Sequence, residues 1–498
     1  MLFNSIEFLV FLPVVFVIYW FIVYRQLKVQ NAFLLIASYV FYAWWDWRFL
    51  FLLFGIAILN YFAGIAVEPG RPEKSRKFWL LAALIANIGT LCVFKYYNFF
   101  IDSFINLISL TGYHLPRSST RIILPIGISF YTFLSISYII DIYKEKLQAS
   151  RNIIDVLLTL GFFPIVLAGP IQRPVTLLPQ IGTERQFDHN KAVDGLRQIL
   201  WGLFKKIVLA DTCAVNADYI FANHGTLNGS VLALGAVFFA FQIYGDFSGY
   251  SDIAIGIGRL FGFDLMRNFA FPYFSTNIAM FWQRWHISLT TWFRDYIFLP
   301  VSFAVSSGLH SERVLFMKAD LYIYIIASLI TWFLTGLWHG ANFTFIVWGM
   351  IHGFMLILYQ WQKAPRKKML KKAGIKADSL AITIPETIVT LSVVAFAWIF
   401  FKASSVNEAL NYIDNMFTHG LFTISILDLR GRGITSTLID GTIAIMAVII
   451  IEYLQRNKQH GLEISNYPKP LRWSLYWIIT FFCLIYLGDQ RTFIYFQF

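Results

Sequence analysis

Long apolar runs recur from one end of the chain to the other. Candidate membrane spans fall at 6–24, 31–45, 48–67, 78–100, 122–140, 153–170, 196–210, 231–244, 321–338, 343–361, 386–402, 434–454 and 471–487. A helix needs about 20 apolar residues to cross a bilayer. The shorter runs are read as tilted, paired or re-entrant segments. The runs outlast a barrel strand and do not alternate, so the spans are helical. Of 498 residues, 58% are hydrophobic and 14% charged. A soluble domain carries about a quarter charged residues, and disorder requires low hydrophobicity. The expected fold is an all-α integral membrane protein, a single embedded unit over 1–498 with roughly 11 or more transmembrane and re-entrant helices.

The net charge of +12 lies in short loops. Arg71, Lys74, Arg76 and Lys77 crowd 68–77, 362–376 carries seven basic residues and no acid, and 455–472 holds Arg456, Lys458, Lys469 and Arg472. The positive-inside rule makes these loops cytoplasmic and the excess a topological signal, with no nucleic-acid role. The same parity places both termini, the turn at 339–342 and the loop 403–433 outside. The opening lacks a basic leader and a small-residue cleavage site, so a retained first span is expected. Cys92, Cys213 and Cys483 lie far apart beside apolar sequence and read as small buried hydrophobes. No metal-ligand spacing is present.

Ionisable groups inside apolar runs are functional-site candidates, because lipid makes them costly. Three places stand out. In 238–263, Asp246 and Asp252 interrupt an apolar run, and Arg259 follows Asp252 by seven residues on one helical face. A structural polar cluster joining helices explains this block at least as well as a catalytic role. In 281–300, Gln283, His286, Thr290 and Arg294 make a polar stripe at helical spacing, and Phe281, Trp285, Leu289, Trp292 and Tyr296 an aromatic one. That pattern predicts one helix lying at the interface or lining a wet cavity. In 329–354, His339 sits in the motif Trp338-His339-Gly340-Ala341-Asn342, where two apolar runs meet. Gly336 and Gly340 bracket it and permit a turn or a close backbone approach.

Histidine alone among these groups titrates near neutrality unperturbed. A neutral imidazole can take the proton of an alcohol as that alcohol attacks an activated acyl group. No serine elbow is present, and none is required if the acceptor supplies the hydroxyl.

With these residues in view, the chain resembles the membrane-bound O-acyltransferase family, in its bacterial alginate O-acetyltransferase-like branch. The similarity rests on MLFNSIEFLVFLPVV, FFPIVLAGPIQRP (162–174), DFSGYSDIAIGIGRLFGFDLMRNFAFPYFS (246–275), FWQRWHISLTTWFRDYIFLP (281–300), GLWHGANFTFIVWGMIHG (336–353) and the closing FIYFQF. It implies a multi-helix bundle of that family's type, with a signature core at about 120–360. It also implies that His339 is the essential histidine and His286 a second one. Trp285, Trp338, Asn342 and Arg294, with Asp246 and Asp252, become candidates for the substrate passage or for support of the histidines. After IFLP the family usually continues glycine-rich. Here it reads VSFAVSSGLHSER (301–313), so the family's features in that loop do not carry over.

The resemblance further implies a short acyl group, acetyl above all, moved from a cytoplasmic thioester such as acetyl-coenzyme A toward an extracytoplasmic polysaccharide. It implies no permanently bound cofactor, a separate extracytoplasmic acetyltransferase as partner, and a place in the bacterial inner membrane. Two alternatives stay open at this point: D-alanyl transfer to teichoic acid, and transport of an acyl donor or glycan without chemistry.

Overall fold

A computed structural model describes every residue except 114, 117–120, 315, 423–434, 489, 490, 497 and 498. By internal contact the chain forms two compact units: in the main, residues 1–200 with 250–266, and residues 201–249 with 267–494.

The first unit holds α1 (Ile6–Val17), which a π turn prolongs to Ile22, then α2 (Leu27–Ala43) and α3 (Arg48–Ala66). Next, α4 (Glu73–Leu91) runs through a wide π turn at Cys92–Tyr96 into α5 (Tyr97–Ser109). The sequence-predicted span 78–100 is therefore part of one longer apolar helix, Glu73–Ser109. Between α3 and α4, Asn60 and Asn87 exchange side-chain amide hydrogen bonds of 3.1 and 3.0 Å, both fully buried. In an apolar setting such a reciprocal pair acts as polar glue between helices.

Helix α6 (Ile128–Tyr143) is buried on all sides along nearly its whole length. Its buried surface is largely apolar but includes Ser129, Thr132, Ser135, Ser137 and Asp141. The helix packs on α3 and α4. Gly127 opens it at φ 81°, and a Cβ there would stand 2.2 Å from the carbonyl oxygen of Val166, so only glycine fits. The span expected at 153–170 is split into α7 (Ile153–Gly161) and α8 (Phe163–Val166). Pro164 in the first turn of α8 cannot donate to a continuing helix, and the Phe163 N–H donates to Ser38 Oγ instead, at 3.2 Å. Next come α9 (Pro174–Ile181) and the greater part of α10 (His189–Phe204).

The second unit continues through the π-helical stretch Lys205–Ala210 into α11 (Asp211–Ala222) and α12 (Gly229–Leu260), whose last turns are counted with the first unit. The sequence suggests a span ending at 244. The helix instead runs on through Asp246 and Asp252, because both carboxylates find partners inside the protein. Most of α12 is buried, whereas Glu73–Ser109 leaves most of its surface exposed. Short helices α13 (Ile278–Arg284), α14 (Ile287–Phe293) and α15 (Leu299–Ser307) follow. Residues 301–313, where the sequence departs from the family, take in most of α15 and end at β1 (Arg313–Val314), which pairs antiparallel with β2 (Met317–Lys318).

Helices α16 (Ala319–His339), α17 (Phe343–Lys372), α18 (Leu380–Lys402), α19 (Val406–Thr418), α20 (Thr435–Leu454) and α21 (Lys469–Ile485) complete the unit. Among the described residues, seven helices are long and apolar enough to span a bilayer, with shorter apolar helices at Ile6–Ile22, Leu27–Ala43 and Ile128–Tyr143. Large apolar side chains such as Leu9, Phe51, Ile85 and Trp477 stand exposed on these helices. So many bare apolar faces fit a lipid solvent and not water. Cys213 and Cys483 are buried as expected, but Cys92 is exposed at the π turn between α4 and α5.

Candidate active site

Helices α16 and α17 pack closely, and glycine makes that closeness possible. A Cβ on Gly336 would stand 2.4 Å from the Phe345 carbonyl oxygen, and one on Gly349 would stand 2.4 Å from that of Trp332. The backbones therefore touch, as small-residue helix crossings allow. This contact presents His339, the last residue of α16, to the first turns of α17. The imidazole is 4% exposed. Its ring lies 4.8 Å from that of Trp348, 5.0 Å from Trp338 and 5.4 Å from Phe401, edge to face in each case. Asn342 closes the break: its Oδ1 accepts from the Thr344 N–H at 3.1 Å as the N-cap of α17, and its Nδ2 donates to the Ser404 carbonyl at 2.8 Å.

His286 is reached differently. The stripe over 281–296 predicts one continuous helix, but the helix is broken. Helix α13 stops at Arg284, Trp285 is extended, and His286 stands at φ 43° and ψ 51° as the N-cap of α14. The cause is a partner far away in sequence. The Ala270 N–H donates to the Arg284 carbonyl, and the Ile287 N–H to the Asn268 carbonyl, both at 2.9 Å. Residues 268–270 thus take backbone groups that a helix would have used. The Asn268 side chain completes the clamp. Its Oδ1 accepts from the Ser288 N–H (3.3 Å) and the Ser288 hydroxyl (2.9 Å), and it lies 3.1 Å from His286 Nδ1. An oxygen at that position makes Nδ1 the protonated nitrogen, which leaves the lone pair on Nε2. Asn268 carries no charge and sits outside any recognisable spacing, so nothing in its local pattern singles it out.

The two histidines are fully or nearly fully buried and share one neighbour. The indole of Trp338 lies 6.1 Å from the His286 ring and 5.0 Å from the His339 ring. Trp285 packs among Phe269, Phe281 and Trp398 at 5.0–5.4 Å, behind His286. Phe247, next to Asp246, meets the His286 ring edge to face at 4.5 Å. The structure thus gathers His286, His339, Trp285, Trp338 and Asn268 in one unit.

The other sequence candidates have partners of their own. Asp246 pairs with Lys206 at 2.8 Å and accepts from the Ile494 N–H at 2.6 Å. Lys206 also meets Asp211 at 2.8 Å, and burial pushes the Asp211 carboxyl up to about 6, against the pull of the Lys206 ammonium. Asp252 belongs to the first unit, where its Oδ1 accepts from Gln198 Nε2 at 2.8 Å. Arg259 pairs with Asp194. Arg294 is mostly exposed and pairs with its neighbour Asp295 at 2.9 Å. With Gln283 and Thr290 it rims a cavity of about 330 Å³ whose apolar wall includes Trp282 and Trp332.

The sequence profile of "MBOAT, membrane-bound O-acyltransferase family" matches residues 143–406, more than half of the chain. The chain belongs to the membrane-bound O-acyltransferase family. That membership makes it a membrane enzyme that transfers acyl groups to oxygen, and it sets aside a transporter without chemistry. The chain is 38% identical to a Pseudomonas aeruginosa protein described as "Probable alginate O-acetylase AlgI", over 86% of this chain and 77% of the relative. It is 31% identical to the peptidoglycan O-acetyltransferase of Helicobacter pylori, over 100% of this chain and 98% of that one. A teichoic acid D-alanyltransferase of Bacillus subtilis is 26% identical over 67% of this chain and 80% of the relative. Both histidines, Trp285, Trp338 and Asn268 fall within the stretch that matches the membrane-bound O-acyltransferase profile.

Proposed function

We propose that this O-acyltransferase moves an acetyl group from a cytoplasmic thioester, acetyl-coenzyme A or a related donor, to an acceptor hydroxyl on the way toward an extracytoplasmic polysaccharide, across a bacterial inner membrane. His339 acts as the base. The hydroxyl oxygen attacks the thioester carbonyl carbon, a C–O bond forms and the C–S bond breaks. The hydroxyl proton passes to the imidazole and from there to the departing sulfur, so the thiol leaves protonated. General-base help of this kind is typically worth about 10²–10⁴-fold. His286, with its lone pair held on Nε2 by Asn268, orients the reacting hydroxyl. Trp338, between the two rings, fixes their separation.

The observation that carries the reading is the pair of buried imidazoles at two helix breaks, joined through one indole. A histidine kept only for packing needs neither a break nor a tautomer clamp. O-acetylation of a glycan is the activity in the names of the more similar relatives, which favours acetyl over D-alanyl. The end-to-end match to a peptidoglycan O-acetyltransferase makes peptidoglycan the acceptor to test beside an alginate-like exopolysaccharide. A separate extracytoplasmic acetyltransferase completes delivery.

The test is acetyl transfer to polymer in membranes carrying His339→Ala. A loss of at least about 10²-fold at normal protein level is expected for a general base. Full activity at that level refutes the role.

A further inference from the structure

The family reading leaves His352, a buried ionisable side chain, without a task. His352 lies in the third turn of α17, fully buried. An aliphatic residue would fill that place in an apolar span at no polar cost. The Nε1–H of Trp282 donates to His352 Nδ1 at 3.3 Å. Nδ1 therefore holds a lone pair, and the proton of the neutral ring sits on Nε2. The imidazole also meets the rings of Trp332 at 5.7 Å and Trp348 at 5.0 Å.

These neighbours face two places at once. Trp282 and Trp332 wall the 330 Å³ cavity, which Thr335, one helical turn before His339, also lines. Trp348 lies against His339 at 4.8 Å as well as against His352. One imidazole thus touches both the cavity wall and the ring on which His339 rests.

We propose that His352 is a positioning residue for acyl transfer, which holds Trp282 as the wall of the cavity that receives the acyl end of the thioester and steadies Trp348 beneath His339. The proposal rests on the reading of His339 as the base. Trp282 can turn about its side-chain bonds, and an indole N–H facing an apolar span would seek an acceptor elsewhere. His352 supplies that acceptor where the wall needs the ring to stand.

The experiment is a double-mutant cycle in membranes supplied with acetyl-coenzyme A, read as polymer-bound acetyl at saturating and limiting donor. Loss of one neutral hydrogen bond predicts a fall in kcat/KM of about 5–10-fold for His352→Leu, with a rise in KM accounting for part of it. Trp282→Phe keeps the aromatic wall and removes the donor, so it produces a loss of the same size. The double variant is no worse than either single one, because both remove one bond. His352→Gln, whose Oε1 can accept from the indole, recovers to within about threefold of the wild type. The shape of the pH profile stays unchanged, since His352 itself gives and takes no proton.

Wild-type kinetics in Trp282→Phe overturn the proposal, and so do losses that multiply in the double variant or a His352→Gln variant as slow as His352→Leu. If His352→Leu fails to accumulate, Trp282→Phe and His352→Gln decide the matter alone. His339→Ala is run alongside. Retained activity there sinks the base assignment while the coupling of 282 and 352 is still read in the same assay.

Discussion

Replacing Asn268 by alanine tests whether the second imidazole works as a positioned acceptor. The side-chain oxygen serves the His286 Nδ1–H, the Ser288 N–H and the Ser288 hydroxyl at 2.9–3.3 Å. The hydroxyl can rotate to another acceptor, but the other two donors are fixed by ring and backbone. A buried donor left unsatisfied costs about 1–3 kcal/mol. Two of them put the loss of stability on the order of 2–6 kcal/mol. The catalytic effect has a separate origin. Without an acceptor at Nδ1 the other tautomer becomes populated, which places a proton where the lone pair stood. Adding the lost orientation, about 1 kcal/mol or more, kcat is expected to fall by roughly 10–100-fold. Asn268→Asp keeps an oxygen in place and preserves the tautomer, so it should turn over faster than Asn268→Ala. The assay is acetyl transfer in membranes, normalised to folded protein measured by size-exclusion chromatography in detergent. Turnover in Asn268→Ala within twofold of the wild type, or Asn268→Asp no faster than Asn268→Ala, would show that His286 is not used through Nε2.

Further expectations concern the scaffold. Gly336→Val forces a side chain into a 2.4 Å gap at the α16–α17 contact; folded protein should fall below detection in detergent, and normal amounts would contradict the backbone contact. Asp246→Asn leaves Lys206 buried beside Asp211 alone, and breaking a buried pair costs about 3–5 kcal/mol. Its thermal midpoint should therefore drop by more than its turnover per folded molecule does, and the reverse order would tie Asp246 to the chemistry. Asp211 supplies a pH signature. Its carboxyl is raised from 3.8 to about 6 in the folded protein, so the stabilisation from its protonation is fully present below 3.8 and is lost as pH rises through about 6. At ~1.4 kcal/mol per pH unit this amounts to about 3 kcal/mol. Asp211→Asn should flatten the pH dependence of the melting temperature between pH 4 and 7, and an unchanged slope would refute it.

How much of the site could be read in advance differed between the two histidines. The break at His339 is written locally, because Gly336 and Gly340 bracket it and Asn342 caps the next helix. The break at His286 is not. Residues 281–296 keep a good helical period, and only the hydrogen bonds from 268–270 interrupt it. Pairing at a distance leaves no periodic trace. For the same reason α12 outran its expected end. A carboxylate looks like a terminator until its partner is known, and Lys206 lies 40 positions away. Cys92 shows the complementary failure. Its apolar neighbours suggest burial, but in a bilayer an apolar residue is as much at home on the outside.

The reciprocal amides of Asn60 and Asn87 also constrain how this protein is made and how it drifts over time. Each carboxamide donates to its own helix, Asn60 to the Ile56 carbonyl and Asn87 to the Ala83 carbonyl, both at 2.8 Å, and its oxygen and second N–H are satisfied by the neighbour. Packing of α3 on α4 therefore completes the hydrogen bonding of both amides at once. A lone replacement would leave the other amide's oxygen and second N–H without that neighbour, whereas a concerted swap to two aliphatic residues would give up a register mark and little else.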